Sequence, residues 1–367
     1  VRGEARYVVA SHKRAGRGET VMHRASSKWT LLPALAGAAL SLGAVRAADG
    51  PPAGWPAYLK NFTLPAGRTW DQYRVRAKDG MPQALIPAGE FLMGANPAQI
   101  DHELDLLREA AEDDVKQEEA SDAGPQKRVY LDLYWIDLHD VTNAQYARFL
   151  NSRQPDAKTR KTWLTLAGET SDEYLEPQIL RHDGRYGVEA GKENYPMMWV
   201  SWRGAAAYAQ WAATGLPTEA QWEKAARGGR EGLAYVWGDS DDPPAGAGNF
   251  ADETAAAQFS DWKRPGRYYR GYYDDYATTS PVGAFHANGY GLYDMAGNVW
   301  QWCADWFQEG FYATMPARNP RNTTPSDGRS QRGGAWSADP AGLPVASRMA
   351  AEPERQNPTI GFRCIGQ

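Results

Sequence analysis

Residues 289–306 read GYGLYDMAGNVWQWCADW, and this run constrains the rest of the chain more than any other. Gly289, Gly291 and Gly297 supply turn conformations closed to other residues, and Trp300, Trp302 and Trp306 carry apolar surfaces that cannot all stay in water. The run predicts a packed core built from loops. The composition extends the theme: 15 Trp and 19 Tyr stand beside 37 Gly and 24 Pro in 367 residues. That balance fits many turns pinned by aromatic contacts, not a helical bundle or a doubly wound sheet. A net charge of −5 and a pI near 5.8 give no electrostatic reason to expect nucleic acid.

The first segments separate from the fold. Residues 1–21 are charged and patternless, and read as an upstream or non-native segment. Residues 22–47 have the three parts of a secretion signal: His23, Arg24 and Lys28, then the apolar run 31–45, then Val45-Arg46-Ala47 before a cleavage point at Ala48. The apolar run is short for a membrane span, which takes about 20 residues, so none is expected in the mature chain; the alternative reading of the run is a weak N-terminal anchor. The expected location is therefore exported, periplasmic or extracellular. Residues 48–83 read as an N-terminal arm without a core of its own.

From residue 84 the pattern becomes that of one domain, 84–367. ALIPAGEFLMGAN (84–96) reads as an opening hairpin, and the acidic run 100–122 as a solvated helix and polar loop. Val129, Leu131, Leu133 and Trp135 alternate as one strand; Tyr146, Phe149 and Leu150 then take helical spacing. Thr142 with Gln145, and Thr218 with Gln221, form capping boxes, and Ser201 is a third N-cap. Residues 152–194 read as an insertion with a loop and hairpin. Four prolines between 340 and 358 exclude long helices from the tail, leaving loop between the strands RGGAW (332–336) and IGFRC (360–364).

These motifs, with residues 195–229 (YPMMWVSWRGAAAYAQWAATGLPTEAQWEKAARGG), resemble the formylglycine-generating enzyme, or sulfatase-modifying factor, family. The resemblance implies an α+β, loop-rich variant of the C-type lectin fold. It also implies calcium held by side-chain and backbone oxygens at Asn249, Phe250, Asp274 and Tyr276, with a second site at Asn298 where the family's acidic residue is Gln301. Losing that charge weakens a cation site.

The family's oxidase chemistry uses two cysteines that bind copper between the RGG and GFR strands. Here that stretch is SADPAGLPVASR (337–348), with Ala338 and Leu343 near the expected positions. Copper chemistry is therefore not expected, and no catalytic residue is assigned. His102, His139, His182 and His286 show no metal-ligand spacing. Cys303 and Cys364 are a disulfide candidate, the alternative being two buried free thiols.

Trp336, Asp339, Arg348 and Arg355 also resemble anchors in lectin-fold proteins that display variable loops. By that resemblance Ser337, Ala338, Ala341, Gly342, Ser347, Met349 and Gln356 would be exposed; the alternative is that they are ordinary loop residues. Trp336, Ser337, Asp339, Arg348 and Arg355 are the candidate ligand-binding set. Arg332, Arg348 and Arg363 either pair with acidic loops or line an anionic pocket. The expected function is recognition of a small molecule, peptide or partner protein through the C-terminal loops and the 152–194 insertion. The alternative is a periplasmic modifying enzyme acting on a peptide or siderophore-type metabolite, as in a cysteine-free branch of the family, or a formylglycine-generating oxidase acting on a sulfatase.

Overall fold

Strand β1 (Tyr73–Val75) pairs with β2 (Pro82–Ile86), which pairs with β5 (Tyr134–Asp137), which pairs with β12 (Ile365–Gly366); every pairing is antiparallel. The computed structural model describes residues 50–110, 122–170, 172, 175–259, 262–263 and 266–366. The segments read as an upstream stretch and a secretion signal lie outside them. No helix among the described residues is long and apolar enough to cross a membrane.

A second sheet runs in the order β10 (Met349–Ala351), β9 (Arg329–Arg332), β8 (Trp300–Trp306), β11 (Ile360–Gly361), with β11 parallel to β8. Part of the tryptophan-rich run is thus a seven-residue strand, where a loop-built core was expected. Its register shifts between Trp302 and Trp306, a bulge that lets a ring-laden segment pair with β9. The glycines before it do make turns. Gly297 has φ +82, and a Cβ there would lie 1.8 Å from the Asn249 carbonyl oxygen.

Two expectations for the first third of the domain are corrected. Residues 84–96 do not form a hairpin: β2 joins the first sheet, whereas β3 (Gly89–Met93) pairs with β4 (Lys127–Leu131). Pro87 cannot donate to a ladder and Gly89 has φ +141, so the chain leaves one sheet before entering the other. Residues 129–135 are likewise two strands, because Asp132 and Leu133 are exposed between β4 and β5. The 48–83 arm supplies β1 and buries Leu59, Phe62 and Tyr73 in an aromatic cluster that also holds Tyr293.

The helices begin where their caps are. Thr142 accepts from Gln145 N at the start of α2 (Asn143–Arg153), Ser201 from Gly204 N at α4 (Trp202–Trp211), and Thr218 from Gln221 N at α5 (Glu219–Ala226). Among the described residues the other α-helices are α1 (Pro97–Ala110), α3 (Ala157–Trp163), α6 (Glu253–Gln258) and α7 (Phe311–Thr314). Between α3 and α4 lies the hairpin β6 (Ile179–His182) and β7 (Arg185–Val188). Tyr146, Phe149, Tyr208 and Phe362 form one aromatic core, with Tyr146 and Tyr208 stacked at 5.7 Å.

Buried charge ties the tail to this frame. Glu223 on α5 accepts from Gly94 N at 2.7 Å and from Arg227, and pairs with Arg332 of β9 at 2.5 Å. Arg332 in turn donates to the carbonyls of Val345, Ala346 and Ser347. Truncating one partner of a fully buried pair strands the other charge, at a cost of about 3–5 kcal/mol. Glu223→Ala is expected to lose that much stability in urea unfolding, whereas Arg318→Ala, which breaks the exposed pair with Asp132, loses less than about 1 kcal/mol. Equal effects would refute the assignment of Glu223 as the tail's anchor.

Candidate functional site

Four groups of residues bear on the expected chemistry or its expected absence, and the fold sorts them. Ala338 and Leu343, near the places expected for the family's cysteine pair, are 9% and 2% exposed. They pack in an apolar cluster with Tyr235, Phe250, Tyr269 and Tyr272. No thiol reaches this place, because Cys303 and Cys364 are free, buried and in other clusters. The disulfide candidate is corrected accordingly. Cys303 belongs to the hydrophobic cluster that holds Trp222 and Met295, whereas Cys364 belongs to the one that holds Tyr146 and Phe362. Burial pushes both thiols well up, away from the reactive thiolate.

The tail residues are anchors more than a display surface. Trp336 is 2% exposed, donates its indole N–H to Pro358 O at 3.1 Å and stacks on Trp262. Arg348 makes two bonds to Glu219, at 2.6 and 2.7 Å, and lies over the Phe307 and Tyr312 rings. Burial alone would raise the Glu219 carboxyl, but Arg348 holds it down to about 2. Asp339 is buried and pairs with Arg267 at 3.1 Å; Ser337 is half-buried, and Arg355 is exposed. Ala338, Ala341 and Ser347, expected on an exposed face, are buried. Arg363 donates to the carbonyls of Asp137, Leu138, Tyr293 and Asp294, so all three arginines in question are committed to protein groups. None of the five candidates lines the cleft described below.

The first calcium set comes together around one turn. Asp274 accepts from Phe250 N at 3.2 Å and Tyr276 N at 2.7 Å, while its own N–H donates to Asp252. Asn249 is 1% exposed and donates its amide to Thr278 O, and its side-chain oxygen Oδ1 is buried with no partner. Burial and the neighbouring Asp252 charge push Asp274 up to about 8. An orphaned amide oxygen at Asn249, next in sequence to the Phe250 that Asp274 holds, and a carboxylate with no cationic partner fit a hard, oxygen-seeking cation. The second set does not fit. Gln301 accepts from Trp222 Nε1 at 2.6 Å and Arg363 Nε at 2.7 Å, so both lone pairs of its oxygen are occupied. Asn298 directs its side-chain oxygen to Ser280 N at 3.2 Å. Among the described residues no three or more His, Cys, Asp or Glu converge as a metal centre.

One cleft of about 300 Å³ opens between the first turns of α1, the 233–241 loop and residues 344–346 of the tail. Sequence reasoning passed over α1 as a solvated helix, yet Glu103 and Leu104 are buried where it packs against the 340–342 turn. Glu103 accepts from the Ser347 hydroxyl at 2.6 Å, and burial pushes its carboxyl up to about 7. At the rim, Asp241 pairs with His102 at 2.8 Å and accepts from Tyr235 OH at 3.1 Å. The run of alternating charge around Glu103 looks like any solvated helix face; its partner Ser347 is 244 residues away. The 152–194 insertion supplies no residue to this cleft; its Gln154, Arg185 and Tyr186 line, with Asn151, a second one of about 370 Å³.

Comparison with known proteins gives the relationship. Residues 72–367 match the sulfatase-modifying factor enzyme 1-like domain, a match that starts ahead of residue 84 and takes in β1. A formylglycine-generating enzyme of Streptomyces coelicolor is 30% identical over 318 residues, covering 79% of this chain and 90% of its own. The serine/threonine-protein kinase pkn1 of Chlamydia caviae is 32% identical over 289 residues, 76% of this chain but 37% of the kinase. Among solved structures, PvdO from Pseudomonas aeruginosa has a TM-score of 0.56 at 21% identity, over 83% of this chain and 99% of that one. The chain belongs to the sulfatase-modifying factor, or formylglycine-generating enzyme, family and has that family's variant of the C-type lectin fold.

Proposed function

We propose that this protein is an exported, ligand-binding member of the family, without copper oxidase activity, and that it binds through the cleft between α1, the 233–241 loop and the tail. The observation that carries the reading is the contrast between two neighbouring places. Where the oxidase's cysteines would stand, Ala338 and Leu343 are closed into an aromatic cluster with no thiol. Beside it, Pro344 and Ala346 line an open cleft with polar groups on its floor and rim. Concave sites with a few convergent polar groups are the usual small-molecule sites. Export rests on the sequence pattern of residues 22–47. Relatives called formylglycine-generating enzymes favour the alternative, an oxidase, so the first test must separate the two.

That test incubates the purified protein with copper and a cysteine-containing sulfatase peptide, and follows oxygen uptake and peptide mass. The expected result is neither oxygen uptake nor a modified peptide. Copper-dependent turnover above a protein-free control would overturn the binding-only reading.

Calcium belongs to the same proposal, as a structural ion. Asn249 Oδ1, the Asp274 carboxylate and the backbone carbonyls of Phe250 and Tyr276 would hold it, and it would neutralise the buried acidic turn. A cation bound only to the folded state at about 100 times its Kd adds roughly 2.7 kcal/mol. Removing calcium with a chelator should therefore lower the melting temperature by several degrees, and readdition should restore it. Asn249→Ala should abolish that response; an identical melting temperature with and without chelator would rule the ion out.

A further inference from the structure

The floor of the cleft holds an acceptor that the protein itself leaves open. Glu103 is 8% exposed and lines the cleft, and its Oε1 is taken by the Ser347 hydroxyl at 2.6 Å. Its Oε2 has no hydrogen-bond or ion-pair partner among the described residues. Arg332 acts on Glu103 only through space, since its hydrogen bonds go to Glu223 and the carbonyls of Val345, Ala346 and Ser347. Oε2 keeps some solvent contact in the cleft, but the carboxyl is otherwise buried and poorly hydrated, so a donor bearing positive charge would stabilise it there.

The rim has the same sign. Asp239 and Asp241 line the cleft with Glu103, and no Lys or Arg lines it among the described residues. His102 is already engaged by Asp241, and Tyr235 donates to the same carboxylate. The helix end offers an anion little: Asn96 Oδ1 accepts the Gln99 N–H at 3.0 Å, while Gln99 Oε1 accepts the Asn96 N–H. A metal ion is disfavoured too, because no three ligating side chains converge among the described residues. About 300 Å³ is the low end of small-molecule sites, room for a short amine or a single basic side chain.

We infer that the cleft recognises an organic cation, an ammonium or guanidinium group that donates to Glu103 Oε2 on the floor while Asp239 and Asp241 supply the attracting field at the rim. The inference rests on the cleft being the binding site, as proposed above. A free amine and a lysine or arginine side chain of a peptide share this chemistry.

Calorimetric titration of the purified protein tests it with four probes: putrescine, Nα-acetyl-lysine amide, the neutral 1,4-butanediol and the anionic Nα-acetyl-glutamate amide. At least one amine is expected to bind while the diol and the anion do not; which amine binds tighter tells a free ligand from a chain-borne one. Glu103→Gln still accepts the Ser347 hydroxyl and is expected to weaken amine binding about tenfold or more, the scale of one charge-assisted hydrogen bond. Ala98→Trp, at the exposed mouth, is expected to block binding. Amine affinity unchanged in Glu103→Gln would overturn the inference. So would binding of the diol or the anion as tight as that of the amines; if Ala98→Trp blocks it, the cleft stands as the site and only the charge assignment falls. If no probe binds, or none is blocked by Ala98→Trp, the cleft reading fails as well.

Discussion

The Glu223 carboxylate is the interaction on which the rest of the structure hangs. It is fully buried, and its two oxygens receive the Gly94 backbone, the Arg227 side chain of its own helix and the Arg332 guanidinium from β9. Desolvating a carboxylate costs several kcal/mol, and the cost is offset here because both oxygens have charged donors and one also has a backbone donor. The consequence is positional. Arg332 holds three consecutive carbonyls of the tail, so residues 345–347 stand where a segment with little regular structure would otherwise drift. Ala346 then lines the cleft and Ser347 meets Glu103. The same carboxylate fixes the turn at Gly94, next to the start of α1 on the opposite wall.

Gln301 plays a comparable part with no charge. Its oxygen joins Trp222 of α5 to Arg363 of the tail, and its amide donates to Asp294 O in the glycine-rich turn. An acidic side chain could accept the two donors but could not donate to Asp294. The substitution that looks from sequence like a weakened metal site is, in the fold, a satisfied junction between three segments.

Local chemistry was legible and long-range chemistry was not. The caps at Thr142, Ser201 and Thr218 were read correctly because each depends on residues three apart. The motif run 195–364 pointed to the right family and fold, since its glycines and tryptophans are spaced by that architecture. The opening hairpin was misread because β2 and β3 look alike in pattern, and only their distant partners, β5 and β4, separate them. Arg348 and Trp336 were read as ligand contacts although Glu219 and Pro358 occupy them, the former 129 residues away. Glu103 went unnoticed for the same reason: nothing in an acidic helix tells which carboxylate turns inward.

The pairing of β5 with β12 has a kinetic side. Ile136 lies opposite Ile365, and Val141 N donates to Phe362 O, so the first sheet and the segment before α2 close only on residues synthesised more than two hundred positions later. Contacts so far apart in sequence must overcome the entropy of closing a long loop before they contribute, and such topologies fold slowly. Until that closure, β5 presents a bare edge of unpaired backbone groups, an invitation to pair with another chain. The caps and the buried aromatic pair Tyr146–Tyr208 are assembled from nearer residues. They allow part of the core to gather while that edge waits for its partner.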